Sequence, residues 1–286
     1  MRAGIVLSGG GAKGAFEVGA LNVLLHYFVK NDIQLAAIAG TSIGAFNAAF
    51  VASGQFYELG EIWDKWDKHT CDFTQTGLLP APLSLLLNGY VYETPYSFLK
   101  ERLNVEALMA SKIRYINTSV CLADGEMYIG GNANPSKSDD TVLREILASA
   151  SPIPLTQSVR IGSEEYVDGG FRDTVPVKAL LNNCGEKLDV IYVVSVNPQK
   201  RIWSPALELN GSKGLMSRLS FVFDGVLWDE ALRNDIDMGR MMAPRDGSYI
   251  VIQPEVVHTT GSDFSRMRTS AARAHGIEMT LKALGV

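Results

Sequence analysis

Ser42 has the sequence setting of a catalytic nucleophile. It is the centre of a Gly-x-Ser-x-Gly pentapeptide that begins at Gly40 and ends at Gly44. The apolar run at residues 35–39 predicts a buried strand before it, and residues 43–52 predict a helix after it. On such a turn the serine hydroxyl lies at the helix N-terminus, where free backbone N–H groups and the helix dipole stabilise negative charge. The alternative interpretation is an ordinary turn in which Ser42 only caps the helix.

A second reactive turn is predicted near the amino terminus, between a strand at residues 3–7 and a helix at residues 15–29. This turn, called the glycine loop, consists of Gly9, Gly10, Gly11, Ala12, Lys13 and Gly14. Its glycines let the backbone N–H groups approach an anion closely. The loop suits either the oxyanion of an acyl-transfer reaction beside Ser42 or a dinucleotide, because Asp32 follows at about the spacing of a dinucleotide site. A nucleotide P-loop is disfavoured, because Gly14 follows Lys13 where a Ser or Thr would bind magnesium.

The alternation of strands and helices predicts an α/β fold. Residues 1–50 are predicted to form strand, helix, strand and helix, an order typical of parallel strands with functional loops at their carboxyl ends. Both glycine-rich turns would then lie at one sheet edge, which favours the oxyanion role. Further strands are predicted at residues 113–123, 126–129, 159–161, 165–167, 190–196 and 249–252, and helices at 140–149, capped by Asp140, and at 263–284. We predict a three-layer α/β/α architecture with a central, mainly parallel sheet, in one domain over residues 1–286.

The general base for Ser42 has two candidates. His26 and His69 have the setting of helix-surface or packing residues, and His275 lies inside the last predicted helix, whereas His258 follows a strand in a late loop, as the histidine of an α/β-hydrolase does. In that fold several strands precede the elbow, but here only one precedes the strand of Ser42. The second candidate is Asp168, at a predicted strand end before Gly169 and Gly170, where a side chain can face an open site.

Composition excludes some classes of function. The chain has 26 Lys and Arg against 31 Asp and Glu among its 286 residues, and it has no run of like charges, so we expect no nucleic-acid partner. Its three cysteines are far apart and form no zinc or redox motif. We find no signal peptide or transmembrane run and expect a cytoplasmic location. The leucine-rich, proline-broken segment at residues 73–98 is either packed on the domain or an apolar lid that contacts lipid.

Taken together, these motifs resemble the patatin-like phospholipase family. The resemblance rests on Gly-Gly-Gly-Ala-Lys-Gly at residues 9–14, Gly-Thr-Ser-Ile-Gly at 40–44 and Asp-Gly-Gly at 168–170, in that order. Ala-Ser-Ala-Ser-Pro-Ile-Pro at 148–154 looks like the family's Ala-Ser block, although with a doubled proline. Asp-Thr-Val-Pro-Val at 173–177 resembles the segment after the family's aspartate. Most of residues 3–180 is covered.

The resemblance implies an acyl hydrolase with a dyad of Ser42 and Asp168 and no catalytic histidine. It implies an oxyanion hole from Gly10 and Gly11, with help from Ala12 or Lys13, and neither a metal nor a cofactor. The expected substrates are fatty acyl esters of phospholipids or related lipids, met by peripheral contact with a membrane or micelle surface. Three alternatives stay open: an esterase, thioesterase or acyltransferase with His258 or His275 as base, a dinucleotide-binding protein, and a non-catalytic scaffold.

Overall fold

The computed structural model describes residues 1–66, 93–153, 156–185, 187–198, 228–243, 248–261 and 263–286. Within these ranges a single sheet is built from strands β1 (Arg2–Leu7), β2 (Gln34–Thr41), β3 (Arg114–Cys121), β4 (Met127–Gly131), β5 (Val159–Ile161), β6 (Glu164–Asp168), β7 (Val190–Val194) and β8 (Tyr249–Ile252). The flanking α-helices are α1 (Ala15–Lys30), α2 (Ile43–Ala52), α3 (Phe56–Lys65), α4 (Glu93–Arg102), α5 (Val105–Ala110), α6 (Asp139–Ser149), α7 (Val177–Asn183), α8 (Trp228–Met242) and α9 (Arg266–Leu284).

The sheet is mixed, with a parallel centre. Its strand order is β5-β6-β3-β2-β1-β7-β8, and β4 pairs with β3 outside this path. Strands β3, β2, β1, β7 and β8 are parallel to one another. The other strands, β4, β5 and β6, join through antiparallel pairs. The predicted α/β architecture with a mainly parallel sheet is therefore confirmed.

Side chains alternate between the two faces of the sheet, and each face has its own apolar core. Ile5 and Leu7 of β1 point to the larger core, together with residues of α1, α2 and α6. Val6, between them, points to the smaller core beneath α7 and α8. Period-two alternation with apolar residues on both faces is what a strand covered by helices on both sides requires. The sheet and its flanking helices thus form the three predicted layers.

Several details of the chain differ from the sequence predictions. Helix α6 begins at Asp139, and its cap is Ser138, whose hydroxyl accepts the N–H of Thr141, so the prediction of Asp140 as the cap was wrong. Helices α3, α4, α5, α7 and α8 were not predicted. Of the segment proposed as a lid, residues 73–92 lie outside the described residues. The remainder belongs to α4, where Tyr96 and Phe98 are partly buried against the core.

None of the helices in the described ranges is both long and apolar enough to cross a bilayer. Cys121 and Cys184 are both buried, and Cys71 lies outside the described residues.

Candidate active site

Ser42 occupies a tight turn between β2 and α2, as the pentapeptide predicts. Its backbone has φ 56° and ψ −126°, a conformation that a non-glycine residue adopts only when its surroundings impose it. Gly40 and Gly44 make the turn possible: a Cβ on Gly40 would collide with the backbone of Gly44, and one on Gly44 would lie 2.6 Å from the carbonyl oxygen of Leu7. The glycines therefore allow the first turn of α2 to lie directly against β1 and β2.

Asp168 lies beside Ser42 because β6 pairs with β3, which itself pairs with β2. The Ser42 hydroxyl lies beside the Asp168 carboxylate and lowers its pKa. The N–H of Gly170 donates a hydrogen bond of 2.7 Å to Oδ1 of the same carboxylate. Gly169 approaches the backbone of Thr118 so closely that a Cβ would collide with its carbonyl oxygen. The Asp-Gly-Gly motif thus turns the chain sharply after β6 and holds the carboxylate in place.

The Asp168 carboxyl is in an environment that suits a base near neutral pH. Its side chain is almost fully buried, with the residue only 2% exposed. Loss of solvation on burial raises its pKa to about 7, although the hydrogen bonds from Gly170 and Ser42 act in the opposite direction. An ordinary aspartate is a weak base at pH 7, but a buried one with this pKa accepts a proton far more readily.

The glycine loop lies next to the nucleophile, on the same sheet edge. A Cβ on Gly9 would be 3.4 Å from the Cβ of Ser42. The N–H of Gly9 donates to the carbonyl oxygen of Thr174 at 3.0 Å, whereas no hydrogen bond from the N–H groups of Gly10 and Gly11 occurs among the described residues. Gly11 has φ 58°, a left-handed conformation that favours glycine. These two adjacent N–H groups therefore have no acceptor among the described residues.

Ala12 departs from the expectation that it contributes to an oxyanion hole. Its N–H donates a 2.8 Å hydrogen bond to the carbonyl oxygen of Gly261, in the loop that precedes α9. A donor already engaged in this way is not free to stabilise an oxyanion. Lys13 is buried, and its Nζ donates to Oδ1 of Asn197 at 2.8 Å. Gly14 packs against Ile43 at the start of α2, which fixes the glycine loop relative to the elbow.

The histidines are not joined to Ser42 by any hydrogen bond within the described chain. His258 packs edge-on against His275, with ring centroids 5.1 Å apart. Nε2 of His275 accepts the N–H of Glu255 at 3.0 Å. His26 is exposed on α1 and bonds within that helix, and His69 is outside the described residues. The structure therefore brings Asp168, and no described histidine, next to Ser42.

The dinucleotide interpretation fails on the position of Asp32. The glycine loop follows the carboxyl end of β1, whereas Asp32 precedes the amino end of β2. Because β1 and β2 are parallel, these two places are at opposite edges of the sheet. In a dinucleotide site the acidic residue must lie at the same edge as the loop to reach the ribose.

Among the described residues there is also no cluster of three or more His, Cys, Asp or Glu side chains that could bind a metal.

A second pair of carboxyl groups lies near the site and was not anticipated from the sequence. Asp235 of α8 accepts the N–H groups of Thr174 at 2.7 Å and Val175 at 3.2 Å. Burial and the neighbouring charge of Asp235 raise the pKa of Asp173 to about 8. The segment after Asp168 is thus tied to α8. No spacing rule could reveal this pair, because its members are far apart in the chain.

Comparison with known proteins agrees with the fold and the motifs. A family model described as patatin-like phospholipase matches residues 5–181, more than half of the chain. A lysophospholipase NTE1 from Debaryomyces hansenii is 25% identical over 202 residues, which cover 68% of this chain and 12% of the relative. The mouse patatin-like phospholipase domain-containing protein 7 is 34% identical over 106 residues, which cover 36% of this chain and 8% of the relative.

The chain therefore spans only a small part of these two relatives. Among solved structures, VipD from Legionella pneumophila superposes with a TM-score of 0.50 at 15% identity, covering 99% of this chain and 66% of that one, which supports the fold alone. The matched family model, the mixed α/β sheet and the three glycine-rich motifs lead to one conclusion: the chain belongs to the patatin-like phospholipase family of lipid hydrolases.

Proposed function

We propose that this protein hydrolyses fatty acyl esters of phospholipids or related lipids through a dyad of Ser42 and Asp168. The observation that carries the proposal is the position of the Ser42 hydroxyl beside the buried Asp168 carboxylate, whose pKa is raised to about 7. A serine hydroxyl needs an adjacent proton acceptor to attack an ester at neutral pH. Asp168 is that acceptor.

The reaction proceeds in two halves. In the first, Oγ of Ser42 attacks the ester carbonyl carbon while its proton passes to Asp168, and the N–H groups of Gly10 and Gly11 bind the negative oxygen. The carbon–oxygen bond to the alcohol then breaks, and the alcohol leaves with the proton from Asp168. In the second half, Asp168 takes a proton from water, whose oxygen attacks the acyl carbon on Ser42. The bond from that carbon to Oγ of Ser42 then breaks, Asp168 returns the proton to Oγ, and the fatty acid leaves.

A lipid substrate agrees with the family and with the character of the chain near the site. Phe171, the residue after Gly170, is 39% exposed. Ile153 is also 39% exposed. It lies two residues after Ser151, whose carbonyl oxygen accepts the N–H of Asp168. We propose that these two side chains, which are close to the site along the chain, contact the acyl chain of a lipid at a membrane or micelle surface. One relative is named a lysophospholipase, so we propose lysophospholipids among the substrates.

Covalent labelling with a fluorophosphonate tests the nucleophile. We expect the wild-type protein to be labelled at Ser42 and the Ser42→Ala variant to be neither labelled nor active on a panel of p-nitrophenyl esters, phospholipids, lysophospholipids and triacylglycerols. Failure of the folded wild-type protein to react with the probe or with any ester would refute the proposal.

The identity of the base is tested separately with His258→Ala. Because His258 contacts His275 rather than Ser42, the variant should retain most of the wild-type kcat. A loss as large as that in Asp168→Asn would instead favour a histidine base.

A further inference from the structure

The end of α6 contacts both members of the proposed dyad. Oγ of Ser149 accepts the backbone N–H of Ser42 at 2.9 Å. Two residues later, the carbonyl oxygen of Ser151 accepts the backbone N–H of Asp168 at 3.0 Å. Ser149 and Ser151 are both fully buried. One short segment therefore holds the backbone of the nucleophile and the backbone of its base.

The hydrogen bond to Ser149 is made at the most strained point of the site. Ser42 has positive φ, which a residue with a Cβ keeps only when its surroundings hold it there. Its N–H and its hydroxyl belong to the same residue, so a rotation of the backbone that frees the N–H also moves Oγ relative to Asp168. Fixing the N–H consequently fixes the direction of attack.

Helix α6 is itself firmly attached, so Ser149 is presented from a rigid support. Glu145, one turn earlier, is fully buried and accepts the Nζ of Lys137 at 2.6 Å, the hydroxyl of Tyr128 at 2.7 Å and the N–H of Gly131 at 3.0 Å. These contacts join α6 to β4 and the loop after it. A serine at the end of a mobile helix could not hold a strained turn, but this helix is immobilised on the sheet.

We propose that Ser149 is a positioning residue for the nucleophile: its hydroxyl oxygen fixes the Ser42 N–H and thereby aligns the Ser42 hydroxyl with Asp168 and the glycine loop. The proposal rests on the proposed function of Ser42. It assigns Ser149 no contact with the substrate, so its effect should appear in the rate of the chemical step and not in substrate binding.

The test compares Ser149→Ala with a control variant, Thr280→Val. Thr280 is also a fully buried helical hydroxyl, but it bonds to the carbonyl oxygen of Gly276 inside α9. Both variants are assayed well below their thermal midpoints, for kcat and KM on a soluble ester and for the rate of fluorophosphonate labelling. We expect Ser149→Ala to lower kcat and the labelling rate by about 10- to 100-fold with KM nearly unchanged, because small displacements of a reacting group cost rates of this order. Thr280→Val should retain wild-type rates.

A third variant, Ser149→Cys, separates positioning from packing. A thiol is a weaker acceptor than a hydroxyl, so this variant should recover part of the rate lost in Ser149→Ala. Wild-type kcat and labelling in folded Ser149→Ala would overturn the inference, as would a rise in KM with kcat unchanged, or a loss as large in Thr280→Val. An inactive, unlabelled wild-type protein would instead refute the function of Ser42, so the two failures are distinguishable.

Discussion

Replacement of Asp168 by asparagine should make the protein less active and, at neutral and alkaline pH, more stable. The substitution keeps the shape of the side chain and an oxygen that can accept the Gly170 N–H, now 2.7 Å from Oδ1. It removes the proton acceptor of the proposed dyad, so we expect kcat to fall by about 10²- to 10⁴-fold. It also removes a charge that is almost completely buried.

The magnitude of the stability change follows from the pKa. Burial raises the pKa of Asp168 from the ordinary 3.8 to about 7. The folded state therefore binds the proton more tightly than the unfolded state, and the free energy of unfolding falls as pH rises from 3.8 to about 7 and is constant above it. Each pH unit is worth about 1.4 kcal/mol, so ionisation of Asp168 costs at most about 4 kcal/mol. The neutral amide of the Asp168→Asn variant would carry no such cost.

Urea unfolding of both proteins at pH 5, 6, 7 and 8 measures the effect. The advantage of Asp168→Asn over the wild type should grow from pH 5 to about pH 7 and then stop growing. In parallel, kcat/KM of the wild type should fall about tenfold per pH unit below about pH 7, as Asp168 becomes protonated. If the two stability curves run parallel over the whole range, Asp168 has an ordinary pKa, and burial does not prepare it as a base.

Three further substitutions test other parts of the site and its support. Gly11→Ala puts a Cβ at a positive-φ position against a carbonyl oxygen of the loop before α9. It should slow fluorophosphonate labelling about 100-fold, the loss typical of one oxyanion donor. An unchanged labelling rate would exclude the glycine loop as the oxyanion hole. Because burial and Asp235 raise the pKa of Asp173 to about 8, the wild type should lose up to about 4 kcal/mol of unfolding free energy between pH 5 and pH 8 that Asp173→Asn keeps. The same pH slope in urea unfolding of both proteins would contradict this. Lys137→Met leaves the buried carboxylate of Glu145 without its cation and should lower the free energy of unfolding in urea by about 3 kcal/mol. The control, Lys65→Met, breaks an exposed ion pair and should change that free energy by less than about 1 kcal/mol.

The position of the nucleophile and of the glycine loop could be predicted from local sequence. Apolar runs bounded by glycines predicted β1 and β2, and helical spacing predicted α1 and α2, whose observed limits agree within two residues. Parallel strands joined by helices then require both turns to lie at one edge of the sheet. Local propensity and the handedness of the crossover connection suffice for that conclusion.

The partners of these residues depended on contacts between segments that are distant in sequence. The antiparallel pairing of β6 with β3 brings Asp168 to Ser42, and nothing in the Asp-Gly-Gly motif specifies that pairing. The engagement of the Ala12 N–H by Gly261 corrected one expectation about the oxyanion hole, and it joins residues almost a whole chain apart. Ser149 likewise meets the Ser42 N–H only after α6 has packed on the sheet.

The sequence by itself determined the local features of the proposed site: a serine on a tight turn, a glycine-rich loop, and an aspartate before two glycines. These properties come from residue type and from the few neighbours that set backbone conformation. Only the tertiary structure decided that the aspartate is buried, that its pKa is about 7, and that it contacts the serine hydroxyl. The physical reason is that solvation and hydrogen bonding depend on every segment that packs around a group, whatever its distance in sequence.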